Sequence, residues 1–112
     1  MTIYNAGDVV VAPFPFMDNV KTKPRPILVI STPAFNDAHE KVMALMITTA
    51  SRTQWPSDIK INHLEACNLS HPSSVRMKCF TLDARLVTKH LGTLHRSDFA
   101  KVQKQLKNTL AL

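Results

Sequence analysis

Arginine, lysine and hydroxyl side chains are the groups in this sequence best suited to chemistry. Lys and Arg total 14 residues against 8 Asp and Glu, and the acids form no pair or cluster that suits a metal ion. Gly7 and Gly92 are the only glycines, which excludes a glycine-rich nucleotide-binding loop. No serine lies in a G-x-S-x-G elbow. A catalytic site in this chain would therefore work through positive charge and hydroxyl groups, without a metal.

Cleavage of RNA phosphodiester bonds is a chemistry that suits such a site. The 2′-OH of the substrate is the nucleophile, so the protein must orient it, neutralise charge on the phosphorane and assist proton transfer. Arginine fits this task because its planar guanidinium can hold two phosphate oxygens at once. DNA lacks the 2′-OH, so this chemistry favours RNA as the substrate.

The candidate residues each have an ordinary structural interpretation as well. Arg25 lies between two prolines in KPRPILV, which gives it a stiff backbone, yet the pattern alone favours a surface arginine at a strand start. Arg76 lies on the polar face of SVRMKCF, where pairing with an acid such as Asp58 explains it as well as a functional role does. The hydroxyl residues of 48–51, in MITTASR, are commonly strand formers or turn residues.

The other reactive side chains form no motif. Five histidines are scattered near loops and turns without catalytic spacing, and each is more simply a surface residue. Trp55 could stack on an unpaired base, although a Trp beside a proline more commonly covers the edge of a core. Cys67 and Cys79 form no CxxC or zinc motif. We interpret both as free thiols and expect Cys79 to lie in the core of a strand.

Short strands must position these side chains. The hydrophobic pattern predicts strands at residues 7–14, 26–31, 41–49, 57–62 and 74–80. Helix is the competing prediction for residues 41–49, because Met, Ala and Leu favour it, but the length and the flanking strands favour a strand. The unbroken apolar runs of the second and third strands indicate cover on both faces. Residues 33–40 and 63–74 read as polar connections.

A helix is predicted at residues 97–110. Ser97 is a suitable N-cap, and the helix dipole favours Asp98 in the first turn. The apolar residues share one stripe and the lysines point away from it: Phe99, Val102, Leu106 and Leu110, against Lys101, Lys104 and Lys107. A small, strongly bent sheet or partly closed barrel would bury this pattern best. The connections are too short or too polar for a parallel α/β fold.

Length and charge set the remaining limits. A chain of 112 residues suits one domain, spanning 1–112, with one modest core. It has no apolar run near the roughly 20 residues of a membrane span, and MTIYNAGD lacks signal-peptide features, so we expect a cytoplasmic protein. The net charge of +6 and the pI of about 9.7 suit an acidic partner such as nucleic acid or an acidic protein. A solvated helix face explains many of the C-terminal lysines.

Three segments, taken in order, resemble the MazF/PemK family of toxin endoribonucleases from toxin–antitoxin modules. GDVVVAPFPFMD…KPRPILVIS resembles the family's first strand, loop and R-P entry into the second strand. VMALMITTAS resembles the next strand with its terminal I-T. SSVRMKCFTLDARLV…HLGTL resembles the late strand with its T-[LI]-D turn. The similarity extends over essentially the whole chain, and the order and spacing of the segments carry it.

The resemblance implies a mainly β fold, a small SH3-like barrel of about five to seven short strands with a C-terminal α-helix, in a homodimer. It also implies a type II toxin that cleaves single-stranded RNA, chiefly mRNA, without a cofactor and so inhibits translation and growth. A cognate antitoxin would block the RNA groove. Two alternatives stay open: a non-catalytic member that binds RNA or antitoxin, and a growth inhibitor with another target such as a topoisomerase.

The resemblance also implies roles for individual residues. Arg25 matches the family's catalytic arginine, and Thr48 matches the threonine that partners it, with Thr49 as a one-residue alternative. Arg76 matches an arginine that some members use as acid or electrostatic stabiliser. Lys78 stands where some relatives place a carboxylate, so the general base is unassigned. The residues expected to bind RNA are Lys21, Lys23, Thr49, Ser51, Arg52 and Lys78.

Overall fold

The computed structural model describes residues 2–13, 23–49 and 53–112. Within these ranges six strands form one curled antiparallel sheet in the order β4-β5-β3-β2-β1-β6. The strands are β1 (Asp8–Pro13), β2 (Pro24–Val29), β3 (Lys41–Thr49), β4 (Ile59–Lys60), β5 (Ser73–Asp83) and β6 (Lys89–Thr93). The helices are α1 (Pro33–His39) and α2 (Arg96–Thr109), and short 3₁₀ turns occur at Leu64–Cys67 and Ala84–Leu86. The predicted mainly β fold with a C-terminal helix is confirmed.

Both faces of the curled sheet are packed, because successive residues of a strand point to opposite faces. The face that we call the Ile27 face buries Val10, Ala12, Ile27, Val29, Val42, Ala44, Phe80, Leu82 and Ala84. The other, the Leu28 face, buries Val9, Leu28, Leu45, Ile47, Ile61, Cys67, Val75 and Leu94, together with Val102 of α2. This arrangement confirms that β2 and β3 are covered on both sides. It also explains why their sequences show no polar alternation.

The polar connection predicted for residues 33–40 is wrong, because most of this segment forms α1. The Thr32 side chain caps the helix by accepting a hydrogen bond from the backbone N–H of Phe35 at 3.2 Å, and Pro33 follows at the first helical position. Asn36 is the buried residue of α1. The helix therefore has no apolar stripe for periodicity to detect, and its Thr-Pro start is the one sequence signal it offers.

Helix α2 begins one residue before its predicted start, and its N-cap is His95 rather than Ser97. The ring of His95 accepts a hydrogen bond from the backbone N–H of Ser97 at 3.2 Å. Asp98 is buried, and its Oδ2 accepts hydrogen bonds from the N–H groups of Asn62 and His63 at 3.1 and 3.0 Å. Asp98 thus ties α2 to the segment after β4. The predicted apolar stripe stops short of Leu110, which is 47% exposed.

The prediction that Cys79 lies in a core is wrong, because Cys79 is exposed, next to a bulge in β5. Leu45 of β3 pairs with Cys79, while the next residue, Met46, pairs with Arg76. Two residues of β5 therefore lie between these pairs as a bulge, and because their number is even, Val75 and Cys79 keep the same face. Cys79 is exposed, and both cysteines are free thiols, as predicted.

The remaining strand boundaries differ from the predicted ones as well. β1 begins at Asp8 instead of residue 7, and its predicted last residue, 14, lies outside the described ranges. β2 runs from Pro24 to Val29 instead of 26–31, β4 spans two residues instead of 57–62, and β5 continues to Asp83. β6 was not predicted, since an edge strand with the sequence KHLGT has little apolar alternation. The connection predicted at residues 63–74 contains the 3₁₀ turn Leu64–Cys67.

Gly92 of β6 lies against backbone of this 3₁₀ turn. A Cβ at Gly92 would come within 2.6 Å of the carbonyl oxygen of Ala66 and 2.9 Å of Cys67 Cα. We expect Gly92→Ala to lower the free energy of unfolding by about 2 kcal/mol, because backbone atoms cannot move aside as a flexible side chain can. Urea unfolding measures this, with Lys89→Ala on the same strand as the control. Equal unfolding midpoints for both variants would contradict the close packing.

Candidate functional site

The register of β2 against β3 brings two candidate residues to the same face of the sheet. Ile27 pairs with Met46 at the end of this antiparallel ladder, and Arg25 and Thr48 lie two residues beyond this pair on the two strands. Ile27 and Met46 both pack in the core of the Ile27 face, and residues two apart on a strand share a face. Arg25 and Thr48 therefore both project from the Ile27 face, just beyond the end of the β2–β3 ladder.

Two further strands extend this pair across the sheet. Thr48 pairs with Ser74 of β5, and Ser74 pairs with Lys60 of β4. We call Arg25, Thr48, Ser74 and Lys60 the polar row. Sequence reasoning missed Ser74 and Lys60, because their place follows from how the strands pair and from no motif of their own. The row combines two cations with two hydroxyls, which is the composition expected of a phosphate site.

Arg25 carries a buried hydrogen-bond donor with no acceptor among the described residues. The residue is half-buried beside Ala12 of β1, its partner in the sheet, and its Nε is buried without a partner in those ranges. A buried donor left unpaired costs about 1–3 kcal/mol. Such a cost is tolerated at sites where a ligand supplies the acceptor, and a phosphate oxygen is a suitable acceptor for a guanidinium.

Arg76, by contrast, is held on several sides. Its Nε donates to Asp58 Oδ1 at 3.1 Å, and its Nη2 donates to Asp58 Oδ2 at 2.9 Å and to the carbonyl of Thr53 at 2.7 Å. Its Cζ lies 4.8 Å from the centroid of the Trp55 ring. The pairing of Arg76 with Asp58, which the sequence left as one of two interpretations, is confirmed. Because Arg76 follows Ser74 by two residues, it projects from the same face, next to the polar row.

This ion pair fixes the protonation of both partners. Burial alone would raise the pKa of Asp58, but hydrogen bonds from Arg76 and the Trp55 N–H, with the charge of Arg76, hold that pKa below its ordinary value. The hydrogen bond to Asp58 raises the pKa of Arg76, which outweighs the opposite effect of burial. Asp58 is therefore a carboxylate at neutral pH and a weak proton acceptor, which makes it unsuitable as the general base.

The other predicted RNA-binding residues are not all close to the polar row. Thr49 alternates with Thr48 and so points to the opposite face, where it pairs with Ser73. Lys23 is exposed just before β2, and Lys78 lies in the β5 bulge. Three of the predicted residues lie outside the described ranges: Lys21, Ser51 and Arg52.

The described residues offer no grouping of three or more His, Cys, Asp or Glu side chains that could hold a metal ion. His63 and His95 stack with their ring centroids 3.9 Å apart, next to the Asp98 contact on the α2 side of the sheet. In the described ranges no helix combines the length and apolar character needed to cross a membrane.

Within the described ranges, the curled six-stranded sheet and the C-terminal helix define a small half-barrel protein, which carries a row of cationic and hydroxyl side chains on one face. Residues 5–110 match the family described as the PemK-like, MazF-like toxin of type II toxin–antitoxin systems, and the chain belongs to this family. The resemblance noted in the sequence is thereby confirmed. No curated protein sequence matches the chain significantly.

Solved structures share the fold over nearly their whole length. MazF from Deinococcus radiodurans superimposes with a TM-score of 0.79 at 22% identity, covering 100% of both chains. A MazE–MazF structure from the same organism gives 0.78 at 23% identity, covering 99% of each chain. A mycobacterial endoribonuclease in complex with its cognate antitoxin gives 0.78 at 20% identity, covering 100% of this chain and 97% of that one. At these identities the likeness establishes the fold.

Proposed function

We propose that this protein is the toxin of a type II toxin–antitoxin module and acts as a metal-independent, sequence-specific endoribonuclease on single-stranded RNA. One observation carries the proposal: Arg25, with a buried donor lacking an acceptor in the described ranges, projects from the same face of the sheet as Thr48, just beyond the end of the β2–β3 ladder. Family membership supports the toxin role, and a structural neighbour is named as an endoribonuclease.

The chemistry follows from these positions. The substrate's 2′-OH attacks the adjacent phosphorus and the bond to the 5′ oxygen breaks, which leaves a 5′-OH fragment and a cyclic or 3′-phosphate end. Arg25 donates two hydrogen bonds to non-bridging oxygens as negative charge grows on them. Thr48 donates from its hydroxyl and orients the same phosphate. Arg76 supplies a second positive charge, fixed in place by Asp58. We assign no general base.

We further propose that the protein forms a homodimer in the cytoplasm and that a cognate antitoxin blocks its RNA groove. The neighbours include a MazE–MazF structure and an endoribonuclease with its cognate antitoxin. The net charge of +6 favours an acidic segment as the blocking element, since it would compete with RNA for the same cations. Mass measurement of the purified protein, alone and with the antitoxin encoded beside it, tests both points.

Incubation of the purified protein with long single-stranded RNA in EDTA tests the activity itself. We expect discrete cuts at a shared short motif, mapped by primer extension, with 5′-OH ends that a polynucleotide kinase labels without prior phosphatase treatment. Chelation of metals should leave the rate unchanged, because the proposed charges all come from side chains. Intact RNA in the presence of folded protein would contradict the endoribonuclease proposal, and a gel shift without cutting would indicate a binding protein.

A further inference from the structure

Trp55 presents an aromatic ring to solvent next to the polar row. It is the one tryptophan of the sequence, and 41% of its surface is exposed. The guanidinium of Arg76 lies 4.8 Å from the ring centroid and covers part of the ring. Trp55 belongs to neither core cluster, so the interpretation that it covers the edge of a core does not account for it.

The ring is held in place before any ligand arrives. The backbone N–H of Trp55 donates to Asp58 Oδ2 at 3.0 Å, and the backbone N–H of Asp58 donates to the carbonyl of Trp55 at 2.9 Å. The same carboxylate holds Arg76, which in turn contacts the ring. Because backbone and covering cation are both fixed, little conformational entropy remains to be lost when a ligand stacks on the ring.

A groove of about 600 Å³ opens beside the ring, a volume within the usual range for ligand sites. Besides Trp55 it is lined by Gln54, Pro56, Asp58, Lys60, Pro72 and Ser74, and the carboxylate of Asp58 is paired with Arg76. Lys60 and Ser74 also belong to the polar row, so the groove is continuous with the place where Arg25 and Thr48 would hold a phosphate. The groove therefore combines the aromatic ring of Trp55, the side-chain amide of Gln54, which can hydrogen-bond to a base edge, and the exposed ammonium of Lys60.

We propose that Trp55 is a stacking subsite for one unpaired nucleobase of the RNA strand, with Lys60 on the phosphate of that nucleotide. A base in a duplex cannot expose its face to the ring, so the subsite selects single-stranded RNA. It also fixes which nucleotide lies beside the phosphate held by Arg25. This inference rests on the proposed function and adds to it the residue that recognises the strand.

The emission of the single tryptophan reports directly on this subsite. The probes are end-labelled 2′-O-methyl homopolymers of U, C and A, about ten nucleotides long, which lack the nucleophilic hydroxyl and stay intact. We expect tryptophan emission to fall over the same concentrations at which anisotropy of the labelled strand shows binding. Trp55→Ala should weaken the binding by about 5- to 100-fold, the range found when a stacking aromatic is removed.

Matched variants separate stacking from a structural role. Trp55→Phe keeps an aromatic face and should bind within a few-fold of the parent, whereas Trp55→Leu keeps apolar cover without that face and should bind as weakly as Trp55→Ala. Lys60→Ala should reduce the slope of log affinity against log salt by about one. Lys104→Ala, on the exposed side of α2, should leave the slope unchanged. Thermal unfolding of each variant verifies that it is folded.

Three results would overturn the inference in different ways. Equal affinity of the parent and Trp55→Ala, with constant tryptophan emission, would remove the subsite and leave the proposed function intact. Emission that responds to protein concentration but not to RNA would place Trp55 in a protein–protein contact. Absence of binding to the oligonucleotides and to long RNA would overturn the proposed function together with the subsite.

Discussion

Arg25→Ala is expected to lower the rate of RNA cleavage by roughly 10³-fold or more while the protein stays folded. The guanidinium is proposed to neutralise charge that develops on the phosphate in the transition state, and removal of one such donor commonly costs about 10²–10³ in rate, more for a full arginine. The measurement is single-turnover cleavage of a labelled RNA that carries the motif found by primer extension, with saturating protein.

The same variant carries an independent prediction about stability. Arg25 Nε is buried without an acceptor among the described residues, so its removal should leave the free energy of unfolding equal or higher. If Arg25 served mainly to pack the core, its removal would instead lower the free energy of unfolding. Arg25→Lys keeps the charge but loses the planar fork, and we expect it to cut more slowly than the parent and faster than Arg25→Ala.

Thr48→Ala and Thr49→Ala form the matched pair for this site. They remove the same hydroxyl from adjacent residues, but strand alternation puts Thr48 on the same face as Arg25 and turns Thr49 to the other face. Cleavage should fall in Thr48→Ala and stay close to the parent in Thr49→Ala. A rate for Arg25→Ala equal to the parent's, or a larger loss in Thr49→Ala, would show that the polar row is not the catalytic site.

The sequence predicted the elements whose pattern follows from their own burial. β3 forms at its predicted bounds, because the length of its apolar run and the flanking strands favour a strand over the competing helix. Elements that depend on contacts with distant parts of the chain were missed or wrongly predicted. α1 buries Asn36 and carries no apolar stripe, and Cys79 is exposed although it alternates with the buried Val75, next to a bulge that no residue type announces.

The site was predictable in part for the same reason. Arg76 and Asp58 both lie on polar faces of short alternating segments, so their pairing could be proposed from sequence, and the structure confirms it. The proximity of Arg25 and Thr48 came from family resemblance, because no local pattern links two residues so far apart in the chain. Ser74 and Lys60 required the pairing of β3, β5 and the two-residue β4, which the sequence does not specify.

Asp58→Ala is expected to lower the free energy of unfolding by about 3–5 kcal/mol, the cost of leaving one partner of a buried ion pair uncompensated. The side chains of Arg76 and Asp58 are 8% and 9% exposed, so water compensates only partly for the lost carboxylate. The variant also loses the acceptor for the Trp55 N–H. Urea unfolding at neutral pH measures the change.

Asp83 provides a control with the same geometry in a different environment. It holds Arg85 through hydrogen bonds of 3.1 and 2.8 Å, from Nε and Nη2, but the Arg85 side chain is 75% exposed. Solvent screens such a pair, so Asp83→Ala should cost clearly less stability than Asp58→Ala. Equal losses in the two variants would contradict a buried Arg76–Asp58 pair.

The pH dependence has a defined sign. Because the pKa of folded Asp58 lies below its ordinary value of 3.8, its contribution to stability is complete above that value and is lost as the pH falls through the folded pKa. The parent should therefore lose more stability than Asp58→Asn as the pH is lowered below about 4. If the free energy of unfolding fell equally with pH in the two proteins, the ionised Asp58 would gain no stabilisation from Arg76.

A double variant separates the structural role of this pair from its role in cleavage. In Asp58→Ala, Arg76→Met the uncompensated guanidinium is gone, and replacement of a buried pair by apolar side chains is often neutral or stabilising, so the double variant should recover much of the stability that Asp58→Ala loses. Cleavage should not recover, because the positive charge that Arg76 is proposed to bring to the phosphate is absent. Recovery of both would show that Arg76 serves the fold alone and that Arg25 and Thr48 carry the reaction without it.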